Sequence, residues 1–281
     1  MRADIPQKIA RGKKGYIMNK NTFKTINLTF GEVNVYDFGQ VKLHAYKTND
    51  PMSDEVFIVE KDGKAVLIES PCFFDNIKEL TEYVSKFETL GIFVAYHAAG
   101  ATLLPNVRKY STRGAIDYSA NGGGKALIDS FTQAFGSAFD NSVHKITDII
   151  ESNRVTVGGI DFVIKPTSEA FDLEIPEINC VYTHMLGHDC HSIIAGQAHA
   201  DAVIAELKDY IKKGYSLILT SHYTPEDLKD AETKIAYLES LKEIAAKCCD
   251  ADSFKAEVGK RYPQYGGQNY LDMTAGFFFG E

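Results

Sequence analysis

Two glycine turns constrain this chain more than any other feature. Asp62-Gly63 separates the apolar runs Val56-Phe57-Ile58-Val59 and Ala65-Val66-Leu67-Ile68, and Gly158-Gly159 separates Val155-Thr156-Val157 from Ile160-Asp161-Phe162-Val163-Ile164. Glycine reaches positive φ without steric cost, so each segment reads as a β-hairpin. One hairpin lies in each half of the 281-residue chain. Helical spacing accompanies both. Leu80, Tyr83, Val84 and Phe87 predict a helix over 75–88, and Leu127, Phe131, Ala134 and Phe135 predict another behind Gly122-Gly123-Gly124. Val203, Ile204, Leu207, Tyr210 and Ile211 mark an amphipathic helix over 198–213. A long helix follows Thr224, which reads as its cap, with Pro225 in the first turn and Asp227 in the capping-box position.

Short apolar runs at Gly91–Tyr96, Ile178–Tyr182 and Leu217–Leu219 read as buried strands, and Val41, Leu43 and Ala45 alternate as a half-buried strand does. No Pro/Gly-rich or low-complexity boundary separates the halves. The expectation is an α/β fold in which two mixed sheets face each other with helices outside. It forms one domain over 25–281, behind a flexible basic lead-in over 1–24 without an apolar stretch of signal-peptide type.

Composition narrows the function classes. A net charge of −8 argues against a nucleic-acid surface, which needs a basic footprint. No window approaches the roughly 18–20 apolar residues of a membrane span. The five cysteines, Cys72, Cys180, Cys190, Cys248 and Cys249, are odd in number and include no CxxC pair, so buried or idle thiols in the cytoplasm are expected. The expected partner is a small-molecule substrate or ligand, with a homodimer as the assembly to test.

The eight histidines carry the chemistry. His97, His184 and His222 each directly follow an expected strand, where α/β proteins collect functional groups. The densest stretch, His184-Met185-Leu186-Gly187-His188-Asp189-Cys190-His191, would align three imidazoles on one face if helical. It lacks the glutamate of HExxH. The alternative is a polar loop whose histidines bond backbone groups. Asn121-Gly122-Gly123-Gly124-Lys125 does not meet the spacing of a phosphate loop, and Tyr262–Gly267 with Phe277-Phe278-Phe279 reads as an aromatic tail packed on the domain or on a second subunit.

Several stretches resemble the metallo-β-lactamase superfamily. Ala65–Ser70 resembles its "vLiDtG" strand end, with Glu69 where aspartate is usual. Gly91–Ala99 resembles the strand leading into HxHxDH, and Leu219–Pro225 its final histidine motif. Thr167-Ser168-Glu169-Ala170 resembles the "TEAP" segment of the alkylsulfatase-like branch, and His184–His191 resembles that branch's "ExxxHxxH". The resemblance runs from about residue 33 to about residue 245 and implies a four-layer αββα sandwich.

It also implies a metal site, in altered form. Ala99, Ala101 and Thr102 stand where HxHxDH has histidine, aspartate and histidine. The set it leaves is His97, Glu169, His184 and His222, suited to one divalent ion, with zinc foremost and iron or manganese as alternatives. His188 and Asp189 are the candidate proton acceptors. The implied activity is metal-dependent hydrolysis of a small ester, sulfate or lactone-like substrate. The competing expectation is a protein that keeps the fold without catalysis and binds a small molecule or partner.

Overall fold

The computed structural model describes residues 18–184 and 187–280. The first half builds one eight-stranded sheet in simple sequence order: β1 (Lys24–Asn27), β2 (Gly31–Asp37), β3 (Val41–Thr48), β4 (Glu55–Lys61), β5 (Lys64–Ile68), β6 (Glu88–Phe93), β7 (Lys109–Ser111) and β8 (Asp148–Ile149). The second half builds a five-stranded sheet from β9 (Arg154–Val157), β10 (Ile160–Pro166), β11 (Phe171–Ile175), β12 (Cys180–Thr183) and β13 (Leu217–Thr220), with β13 beside β12 at one edge. Both sheets are mixed. β5, β6, β7 and β8 pair in parallel, as do β12 and β13, and the other pairs are antiparallel. Both expected hairpins form, as β4–β5 and β9–β10.

The period of two along β4 shows why the layers stack. Phe57 and Val59 point into the core shared with Phe162, Leu173, Tyr182 and Leu219 of the second sheet. Val56 and Ile58, offset by one residue, instead pack beneath Ile77, Leu80 and Val84. A strand covered on both faces reads as a continuous apolar run. The helix over Ile77, Leu80 and Val84 is α1 (Phe74–Val84). On the far side α4 (Gln197–Lys213) and α5 (Leu228–Ala245) bury Leu207, Leu238 and Leu241 against Val181 and Ile218. The result is helix, sheet, sheet, helix, the αββα sandwich expected from the sequence.

The remaining helices are peripheral. α2 (Arg113–Asn121) and α3 (Gly123–Phe135) follow β7, and Leu127 of α3 is 50% exposed. α6 (Ala251–Arg261) and α7 (Gln268–Phe279) close the chain, and the aromatic tail packs on the domain through Phe278 and Phe279 against Phe254.

Two boundaries differ from the sequence reading, and two further segments left open by it can be described. β6 ends at Phe93, not Tyr96, because the amides of Ala95, Tyr96 and His97 turn to the Glu69 carboxylate. The cap of α5 is Asp227, not Thr224. Glu226 is held in a two-way backbone bridge with Ile218, so the helix starts only after it, and Asp227 and Asp230 form the capping box. The described part of 184–191 is not helical. Of the lead-in, residues 1–17 lie outside the described residues, but Met18 packs on the inter-sheet core and Lys20 forms an ion pair with Asp230.

Candidate metal centre

Three strand ends deliver three imidazoles to one place. His97 follows β6, His184 follows β12 and His222 follows β13, and one ring nitrogen from each lies within 4.8 Å of the others. Ring centroids are 5.4 Å apart for His97–His184, 5.2 Å for His97–His222 and 5.1 Å for His184–His222. A tetrahedral ion about 2.0–2.1 Å from each nitrogen would set imidazole centroids roughly 5.2 Å apart, so this triangle fits a divalent cation.

Glu69 fixes much of this geometry. It is fully buried, and it sits in the left-handed region at φ 68°, a costly conformation for a residue with a side chain. Its carboxylate accepts hydrogen bonds from the amides of Ala95 (3.3 Å), Tyr96 (2.7 Å) and His97 (3.1 Å) and from the Tyr182 hydroxyl (2.7 Å). Those bonds wrap the chain after β6 around one carboxylate and so aim His97.

The same carboxylate sets the tautomer of His184. Tyr182 donates to Glu69, so its oxygen is left to accept from Ser221 Oγ at 2.7 Å. Ser221 Oγ must then accept from Nδ1 of His184, also 2.7 Å away. The proton of His184 therefore lies on Nδ1, and Nε2 keeps its lone pair. Burial, reinforced by His97 and His222, holds His184 well below the usual histidine range, in the neutral form a metal requires. Tyr96 stacks on its face with centroids 4.7 Å apart.

A fourth group, which the sequence reading missed, stands behind two of the rings. Asp54, immediately before β4, is fully buried, and its Oδ1 lies 3.3 Å from Nδ1 of His222 and 3.9 Å from Nδ1 of His97. Among the described residues neither carboxylate oxygen has a hydrogen-bond partner, nor does either of those nitrogens. Oδ1 and the two Nδ1 atoms thus face one another without a formed hydrogen bond, so Asp54 is the polar neighbour that both rings share on their Nδ1 sides. The only sequence signal was an acidic residue at the start of an apolar run.

The other expected site residues go elsewhere. Glu169 is exposed on the turn between β10 and β11 and does not join the imidazoles. His188 places Nδ1 2.8 Å from Glu226 and Nε2 3.4 Å from Asp230, while Lys20 pairs with Asp230. His188, Glu226 and Asp230 have metal-ligand chemistry and lie close enough to hold a cation. Their charges are already matched internally, and the Glu226 hydrogen bond raises His188 above its usual range. His191 turns to the Tyr237 hydroxyl, 2.8 Å from Nδ1. The three histidines of 184–191 thus point apart. Asp189 is exposed.

The positions that depart from HxHxDH are closed by backbone. Ala99 packs with Cys72, Phe73 and Phe139. The Ala101 amide donates to Ser142 O at 3.1 Å, and the Thr102 amide and hydroxyl both donate to Asp140 Oδ2 at 3.0 and 2.7 Å. Gly100, at φ 84°, permits this path, since a Cβ there would lie 2.3 Å from Pro71 O. These positions offer no second set of donors. Cys72, buried in the same cluster, is a packing residue, as expected.

Beside His222 opens a cleft of about 590 Å³, lined among others by Lys47, Tyr36, His188, Asp189 and Tyr223. That volume lies in the range of small-molecule sites. Among the described residues no helix is long and apolar enough to cross a membrane.

No family model matches the chain, and neither does any curated protein sequence. Solved structures do match. A stereoselective inverting sec-alkylsulfatase from Pseudomonas sp. superposes with a TM-score of 0.58 at 13% identity, over 87% of this chain and 49% of that one. The chain therefore spans about half the length of that enzyme. A metallo-β-lactamase family protein from Thermus thermophilus gives a TM-score of 0.58 at 10% identity, over 85% of this chain and 91% of that one. A metallo-β-lactamase from Erythrobacter litoralis gives 0.54 at 12% identity, over 77% and 100%. The chain has the metallo-β-lactamase fold, as the motif resemblance implied.

Proposed function

We propose that the protein is a metal-dependent hydrolase of a small ester, sulfate or lactone-like substrate, with one divalent ion, zinc foremost, held by His97, His184 and His222. The convergence of these three imidazoles, at a spacing that fits a divalent cation, is the observation that carries it. Three protein ligands rather than four leave a coordination position for water or substrate, the arrangement of a catalytic rather than a structural site. Such an ion, when bound, supplies Lewis acidity that polarises a substrate oxygen and acidifies water.

The chain's own groups do the remaining work. His222 borders the cleft, so substrate approaches the centre from that side. Lys47 lines the cleft and would hold an anionic part of the substrate, such as a sulfate. Tyr96 covers the outer face of His184 and keeps water from that side. Asp189 lines the cleft as the proton acceptor in this reading, because both ring nitrogens of His188 face carboxylates.

The closed backbone at Ala99, Ala101 and Thr102 favours a second reading, a protein that binds a small molecule at the metal without turning it over. A panel of aryl acetate, aryl sulfate and lactone substrates, assayed on the zinc-loaded protein and after chelation, separates the two. Chelator-sensitive hydrolysis that His222→Ala abolishes supports the hydrolase. A metal-loaded protein inert to the whole panel supports the binding protein.

A further inference from the structure

Asp54 has no place in the ligand set, yet its backbone is held firmly beside it. Its carbonyl accepts from the Thr48 amide at 2.9 Å and from the Thr48 hydroxyl at 3.2 Å. The next amide, that of Glu55, donates to Ser221 O at 2.6 Å and so ties the start of β4 to the end of β13, one residue from His222. The turn before it is set by Asp50, whose Oδ1 accepts from the Met52 and Ser53 amides at 2.8 and 3.0 Å. The backbone is thus pinned from both sheets, and the side chain is fully buried with both oxygens unpartnered. Leaving a carboxylate in that state is costly unless it serves charged or strongly polar neighbours.

We propose that Asp54 is a positioning residue shared by His97 and His222. Its Oδ1 faces the Nδ1 of each ring, at 3.3 Å for His222 and 3.9 Å for His97. There it can accept the Nδ1–H of either ring, favours the Nδ1–H tautomer of both and turns both Nε2 lone pairs toward the ion. Ser221 does the same for His184, through the chain from Glu69 and Tyr182. All three imidazoles then present Nε2, and each Nδ1 is oriented by an oxygen from the protein. Carboxylates behind ligating histidines commonly fix the tautomer and raise the basicity of the ligand. Asp54 is therefore not a fourth ligand, and the open position of the site is kept. This inference rests on the three-histidine reading above, and it adds the device that prepares those ligands before any metal arrives.

The test is the tautomeric state of the histidines, read by long-range proton–nitrogen correlation on the metal-free, 15N-labelled full chain above the ordinary histidine titration range. His97→Gln and His222→Gln variants assign the signals. In the wild type both rings should carry the proton on Nδ1. In Asp54→Ala they should move toward the Nε2–H form that a free histidine side chain prefers, and zinc affinity, measured against a competing chelator, should fall about 10- to 100-fold. Asp54→Asn keeps an acceptor oxygen and should fall in between, so it serves if the alanine variant does not fold. Nε2–H tautomers in the wild type, or unchanged tautomers and zinc affinity in both variants, would overturn the proposal. The correct tautomers in a protein that binds no metal would uphold the positioning role and sink the hydrolase reading instead.

Discussion

The Tyr182 hydroxyl donates to Oε1 of Glu69 at 2.7 Å, across the interior between the two sheets. That bond joins the end of β5 to β12 and, through Ser221, reaches His184. Replacing Glu69 by glutamine would turn an amide NH2 toward groups that are themselves donors, leaving at least one buried donor unpaired. Glu69→Gln should lower stability by about 2–3 kcal/mol, read by urea denaturation. Tyr182→Phe should cost about 1–2 kcal/mol by the same measurement and should weaken zinc binding, since the tautomer of His184 loses its anchor.

Glu169 separates the motif-based ligand set from the geometric one. It is exposed and stands apart from the imidazoles, so Glu169→Ala should keep the wild-type metal content. His184→Ala should lose it. Elemental analysis after dialysis reads both, and loss of metal in Glu169→Ala would restore the glutamate as a ligand.

His188 acts in an ion-pair cluster. Its imidazole faces Glu226 and Asp230, and the Glu226 hydrogen bond raises it above the usual histidine value of 6.5. A raised histidine contributes stability that is fully present below its unfolded value and lost as the pH rises through its folded value. His188→Ala should therefore cost more near pH ~6 than near pH ~9 in thermal or urea unfolding, by a margin reduced by solvent screening of the partly exposed ring. Its metal content at the His97–His184–His222 centre should be unchanged.

Asp172 should give the same direction of slope as His188, opposite to that of an ordinary ion-paired carboxylate. Burial, then the neighbouring Glu206, push it from 3.8 up to about 7. Between those values the folded state holds a proton that the unfolded state releases, so this contribution is present below about pH 4 and is lost as the pH rises toward 7. Asp172→Asn keeps the neutral form at every pH. The variant should gain a few degrees in Tm over the wild type on going from about pH 5 to about pH 8. A pH-independent difference would show that Asp172 is not protonated when folded.

Much of the fold was legible because it rests on local signals. The Asp62-Gly63 and Gly158-Gly159 turns with their flanking apolar runs appear as β4–β5 and β9–β10, and the spacing over 198–213 appears as α4 at Gln197–Lys213. The misplaced boundaries have long-range causes. β6 stops early because Glu69, distant in sequence, competes for its amides, and α5 starts late because Glu226 pairs with Ile218. At the site, strand-end placement singled out His97, His184 and His222, the three imidazoles that converge. Asp54 stayed hidden because one acidic residue before a strand carries no periodicity, and its role exists only when β4 lies beside the end of β13. Glu169 was proposed on a four-residue likeness, which says nothing of where its turn points.

Metal stoichiometry decides whether His97, His184 and His222 hold one catalytic ion. Zinc-loaded wild-type protein, dialysed and measured by inductively coupled plasma mass spectrometry alongside His97→Ala, His184→Ala and His222→Ala, should carry one ion per chain. Each variant should carry little or none while remaining folded. A wild type that retains no zinc, iron or manganese, or variants that all keep wild-type metal, would rule out a metal centre at these three histidines.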